Sequence, residues 1–149
     1  MDVTIVDRPE LRVAGIRHIG PYPEIGREFG RLGGLLKGGP PVGSHMIAIY
    51  HDDPETTPAD RLRSDAALTL SGHTPGPLGL IEQRVPAGRY ARTVHRGGYE
   101  GLPDTWMALK QWATQNGHTL GHPGCEVYLN DPTATPKPEL LTEVLMRIA

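Results

Sequence analysis

Along residues 11–19 and 88–95 apolar and polar side chains alternate, with β-branched residues among the apolar ones. A period of two predicts a strand in each stretch. After each strand the period changes. Ile25, Phe29, Leu32 and Leu36 are spaced by four, three and four within residues 22–36. Leu102, Trp106, Leu109 and Ala113 repeat that spacing within residues 101–116. Each set draws one face of a helix. Gly26, Gly30, Gly33 and Gly34 weaken the first helix, at roughly 0.5–1 kcal/mol each, so it must rely on packing or be mobile. Further strands are predicted at 3–6, 45–51, 64–71, 80–85, 124–129 and 139–147. The last of these is ambiguous. Leu140, Leu141, Val144, Leu145 and Ile148 suit a helical period, whereas Thr142, Val144, Met146 and Ile148 suit a strand. Gly/Pro clusters at 38–43, 73–79, 121–124 and 132–138 read as turns and connectors.

The chain repeats itself. With a shift of 77, Pro9, Arg12, Ala14, His18, Gly20 and Tyr22 meet Pro86, Arg89, Ala91, His95, Gly97 and Tyr99. With a shift of 78, Gly43, Tyr50, Asp53 and Pro54 meet Gly121, Tyr128, Asp131 and Pro132. Ten identities in one order describe a single domain, 1–149, duplicated internally as about 1–72 and 79–149. The repeat resolves the last segment as a strand. The expected fold class is α+β: two strand–helix–strand–strand modules with pseudo-twofold symmetry. They form one curved, mostly antiparallel sheet, with two main helices and a central cleft. Each half is expected to add its own leading strand. A cleft between modules is a favoured ligand site.

The stretch CEVYLNDP, 125–132, places Glu126 within a strand, where glutamate is depleted. Side chains alternate across a strand. Glu126 and Tyr128 therefore share one face, and Cys125, Val127 and Leu129 the other. In the first half Ala48 and Tyr50 take the equivalent positions, opposite Ile47 and Ile49. The apolar faces are expected under the helices. The faces bearing Tyr50, Ala48, Glu126 and Tyr128 are expected to meet across the pseudo-twofold axis. Such a groove suits an aromatic or cationic small molecule, with tyrosines for stacking and a carboxylate that wants a positive partner. The plain alternative is a glutamate facing water on an edge strand.

Composition narrows the classes. Of 149 residues 38% are hydrophobic and 21% charged, with a net charge of −2. That balance gives no field favouring nucleic acid or an anionic membrane. No apolar run is long enough to span a bilayer, and the N-terminal residues lack the basic and apolar regions of a signal peptide. The single cysteine, Cys125, excludes an internal disulfide and fits a reducing cytoplasm. Its place on the apolar face reads as a buried thiol. His118 and His122 fall short of a metal site in number and setting, so no metal or cofactor is expected. His18 and His95, equivalent in the repeat, read as structural. Asp52, Asp53, Asn130 and Asp131 read as turn formers before proline.

The segments HRGGYEGLPDTWMALKQWA and PGCEVYLNDP resemble the GyrI-like small-molecule-binding domain. That domain is also the effector-binding region of AraC-type and multidrug-sensing transcription regulators. The resemblance covers essentially the whole chain. It implies that Glu126 lies in the cleft and pairs with cationic ligands, that Tyr128 forms a wall, and that Trp106 stands near the cleft. Tyr50 and Ala48 come from the repeat rather than from a family motif. The resemblance also leaves two alternatives open. One is a cofactor-independent hydrolase of cyclopropane-containing, DNA-alkylating natural products, with Glu126 as acid or base. The other is an inhibitor or protector of gyrase. The chain begins on its first strand, so direct DNA binding is not expected, while a regulator or gyrase partner and a homodimer stay open.

Overall fold

The structure, a computed structural model, describes residues 1–37, 39–72, 75–77 and 79–149. Gly38, His73, Thr74 and Leu78, which belong to two of the predicted turn clusters, lie outside the described residues. Eight strands and two helices follow in the order β1 (Thr4–Arg8), β2 (Leu11–Ile19), α1 (Gly26–Leu35), β3 (Met46–Tyr50), β4 (Arg63–Leu70), β5 (Ile81–Val85), β6 (Gly88–Arg96), α2 (Leu102–Gln115), β7 (Leu120–Tyr128) and β8 (Leu141–Ile148). The C-terminal segment is a strand, paired with β6 and β7. The GHPG cluster is not a turn. It lies within β7, where the register shifts between Leu120 and Gly124.

All strands join one antiparallel sheet in the order β1-β6-β8-β7-β3-β4-β2-β5. The leading strands are exchanged, a departure from the expectation above. β1 pairs with β6 of the second half, and β5 pairs with β2 of the first. Read from either edge inward, the sheet runs through a leading strand and then the second, fourth and third strands of the other half. The two halves meet at the β3–β7 seam, where Ala48 stands opposite Glu126.

The connectors determine the curvature. Only Pro9 and Glu10 separate β1 from β2, and only Pro86 and Ala87 separate β5 from β6. Such a link reaches about 11 Å at most. In a flat sheet β1 and β2 would stand about 28 Å apart, at six strand spacings. The sheet must therefore curl until its ends approach. The concave face closes on itself and buries Val13, Ile47, Ile49, Ala67, Val85, Tyr90, Cys125, Val127 and Leu145, with Val6, Leu11 and Leu129 packed against them. This core contains no helix. Two acidic residues lie along it. Asp65 binds Arg17 and His51, and Glu143 binds Arg8 and Arg92.

Both helices lie on the other face, so the expectation that the isoleucine and cysteine face would underlie them is overturned. α1 and the residue that caps it set Leu32 and Leu36 against Ala14, Leu68 and Leu70. α2 sets Leu102 and Leu109 against Ala91, Val144 and Met146. Leu32 and Leu109 are fully buried, each worth about 1.5–3 kcal/mol. The reason lies in residue size. Ala14, Ala48, Ala66 and Ala91 hold the surface beneath the helices low, leaving room for a second layer.

Equivalent latches tie each helix to the sheet. Gly20 and Gly97, at φ of 134° and 111°, turn the chain out of β2 and β6 in a conformation that favours glycine. Their amides donate to the carbonyls of Leu62 and Leu140, both at 2.8 Å. His18 then bridges Pro21 O at 3.0 Å and Glu28 Oε2 of α1 at 2.5 Å. His95 bridges Gly98 O and Thr105 Oγ1 of α2, both at 2.8 Å. The geometry is shared, but the first latch contains a carboxylate where the second has a hydroxyl. Burial raises the Glu28 carboxyl pKa, but His18 and Arg27 outweigh it and hold the group below its ordinary value.

Candidate functional site

A cleft of about 1230 Å³ opens between the helices over the β3–β7 seam. Glu126 lies on its floor, 6% exposed, so the alternative of a water-facing edge glutamate is excluded. Its carboxylate accepts three hydrogen bonds. Tyr50 and Tyr128 hydroxyls donate to Oε1 at 3.0 and 2.7 Å, and Trp106 Nε1 donates to Oε2 at 2.6 Å. Alternation places Tyr128 two residues from Glu126 on the same face. The β3–β7 register brings Tyr50 opposite Gly124. A Cβ on Gly124 would stand 3.0 Å from the Trp106 ring, so glycine there lets the indole approach the strand. Burial, reinforced by the charge of Glu126, raises both phenols far above the usual tyrosine range. Both therefore remain protonated donors at neutral pH. All three donors are neutral, and no described cation lies within ion-pair distance of Glu126.

Six aromatic rings surround this carboxylate in pseudo-symmetric pairs. Tyr22 lies on Tyr50 with centroids 4.8 Å apart, and Tyr99 lies on Tyr128 at 5.2 Å, both inclined by 56°. Across the axis, Phe29 of α1 points edge-on at Tyr128 at 5.7 Å. Trp106 of α2 does the same to Tyr50 at 6.0 Å. Glu126 breaks the symmetry. Its counterpart is Ala48, and the counterpart of Trp106 is Phe29, which has no N–H to donate. The second half thus has a hydrogen-bonded polar pair where the first has an apolar contact.

Four of the five residues singled out from sequence, Glu126, Tyr128, Trp106 and Tyr50, line this cleft together. Ala48 does not. It is wholly buried, beside its cross-strand partner Ala66 and packed with Ile25, as part of the layer under the floor. Tyr22, Tyr99 and Phe29 were missed, although the shift of 77 that pairs Tyr22 with Tyr99 also pairs Phe29 with Trp106. Cys125 points into the concave core, where burial pushes its thiol up to about 12. Among the described residues no group of three His, Cys, Asp or Glu side chains is placed to hold a metal ion. Nor is any described helix long and apolar enough to cross a membrane.

A duplicated antiparallel sheet with two helices and an aromatic cleft on their side defines a class of ligand-binding domain. The chain belongs to the GyrI-like small-molecule-binding domain family, which it matches over residues 1–149. It is 32% identical, over 141 residues and 90% of both chains, to a DNA gyrase inhibitor of Yersinia enterocolitica. In fold it resembles the EcmrR C-terminal domain, with a TM-score of 0.76 at 21% identity, covering 99% of this chain and 97% of that one. It also resembles SAV2435 solved bound to tetraphenylphosphonium, with a TM-score of 0.71 at 12% identity, covering 100% of this chain and 94% of that one.

Proposed function

We propose that this chain is a binding protein for hydrophobic aromatic cations, held in the cleft with Glu126 as counter-charge. One observation supports it most strongly: a buried carboxylate fixed by three neutral donors, with rings on every side and no described protein cation beside it. A charge in that setting is costly unless compensated. A lipophilic cation supplies the compensation, while the rings supply stacking and cation–π contact, roughly 0.5–2 kcal/mol each. The domain of like fold that was solved with tetraphenylphosphonium supports the same reading. Binding is favoured over hydrolysis because three donors already fill most of the carboxylate's acceptor capacity, two on Oε1 and one on Oε2. Trp106, hydrogen-bonded to Glu126, serves as the reporter. Tetraphenylphosphonium is expected to quench tryptophan fluorescence saturably, and the neutral analogue triphenylphosphine oxide only weakly. Equal responses to the two compounds would remove the charge from the account.

The gyrase inhibitor relative motivates a second reading, in which the chain acts on DNA gyrase. A supercoiling assay with purified gyrase tests it. Dose-dependent loss of supercoiling would support it, and full activity at excess protein would dismiss it.

A further inference from the structure

The cleft contains a second, oppositely charged feature that the cation reading leaves unused. Lys110 is the only lysine or arginine among its described lining residues, and two histidines line it too, His122 on the half that bears Glu126 and His45 on the other. Lys110 follows Trp106 by four residues, one helical turn or about 6 Å along α2. It therefore stands on the same helix face, and its side chain leans back toward Trp106. It forms no ion pair with Glu126 or any other described carboxylate. The pseudo-symmetric counterparts of Lys110 and His122 are Gly33 and Ser44, which also line the cleft and are neutral. Two other acids reach the cleft. Arg63 holds Asp52 at 2.9 Å, and Thr133 engages Asp131 through Oδ1 at 2.7 Å. Lys110 and His122 also line an adjoining cavity of about 330 Å³, together with His118, Asp53 and Glu55. Lys110 and His122 thus stand where the main cleft continues outward, on the half that bears Glu126.

We propose that the cleft selects amphoteric ligands: an aromatic body with a cationic group that meets Glu126 and an anionic group that meets Lys110 and His122. This rests on the cation reading above and adds a second charged contact to it. The carboxylate on the floor and the ammonium toward the rim oppose each other without touching. A ligand with both charges satisfies both, whereas a plain cation leaves Lys110 without a partner. Lys110 acts as a specificity residue for the tail of the ligand, outside the Glu126 hydrogen-bond set.

Rhodamine B and its ethyl ester test this. They share one cationic ring system, but the first carries a free carboxylate and the second does not. Fluorescence anisotropy titrations are run on wild type, Lys110→Met and His122→Gln. Wild type is expected to bind the acid about three- to fivefold more tightly than the ester, the worth of a part-exposed charge pair. Lys110→Met is expected to bring the ratio close to one, chiefly by weakening binding of the acid, and His122→Gln to reduce it in part. A ratio unchanged in Lys110→Met, or a wild-type preference for the ester, overturns the proposal and leaves the cation reading intact. If neither dye binds, this proposal falls, and the tetraphenylphosphonium titration decides the cation reading separately.

Discussion

Exchanging Glu28 for threonine would give α1 the latch that α2 already uses. The two latches superpose by the repeat, His18 on His95 and Glu28 on Thr105. In the first, the His18 and Glu28 side chains are 0% and 5% exposed, 2.5 Å apart. Truncating one member of such a buried pair costs about 3 kcal/mol, because the other is left without its partner. Glu28→Ala therefore lowers the melting temperature by about 6–12 °C in a chain of this size. Glu28→Thr restores a hydroxyl to His18 and costs about 1 kcal/mol, or roughly 2–4 °C. The pH dependence separates the two further. The folded-state pKa of Glu28 lies below its ordinary value. Its contribution is thus complete above the unfolded carboxylate range and is lost as pH falls through the lowered folded value. Wild type should lose melting temperature faster than Glu28→Thr as the pH is lowered from about 5 to about 3. Thermal unfolding followed by circular dichroism across that range reads both effects. Equal destabilisation by Ala and Thr, or parallel pH profiles, would refute the latch.

Three further outcomes follow from the packing. Trp106→Phe keeps a ring but removes the indole donor to Glu126; chemical denaturation should show a loss of about 1.5–3 kcal/mol, the worth of a hydrogen bond to a charged group. Gly15→Ala drives a Cβ into the Ala66 carbonyl oxygen, and the forced shift of β4 should cost about 1–3 kcal/mol in the same assay. Cys125 should resist a thiol-specific chromogenic reagent at about pH 8 in the native protein and react at once in denaturant, since burial holds its thiol at about 12.

Much of the fold is legible in local periodicity. The alternation at 11–19 and 88–95 becomes β2 and β6, and the helical spacing becomes α1 and α2. The repeat decides the C-terminal strand because a duplicated module carries its element order with it. What the periodicity does not contain is which face the helices cover. Ile47, Ile49, Cys125 and Val127 form the more apolar face, yet the sheet curls and buries that face against itself. The cue lies in the short connectors Pro9–Glu10 and Pro86–Ala87, whose meaning depends on the strand exchange. Ala48 was misplaced for a related reason. Alternation gives its face correctly but not its depth, and a small side chain there lies under the cleft floor. Glu126 was legible because a carboxylate between two strand residues violates the local pattern, and its counterpart in the repeat is alanine. Tyr22, Tyr99 and Phe29 reach the cleft from the helix entries and α1, which strand alternation does not describe.

The central claim is that Glu126 is the counter-charge for a bound cation. Calorimetric titration of tetraphenylphosphonium into wild type and Glu126→Gln measures this directly. The substitution keeps the size of the side chain and a carbonyl acceptor but removes the charge. One charged contact is worth about 1.5–3 kcal/mol, so the account predicts that the dissociation constant rises at least about tenfold in the variant. A dissociation constant that stays the same, in a variant whose melting curve matches wild type, would contradict it.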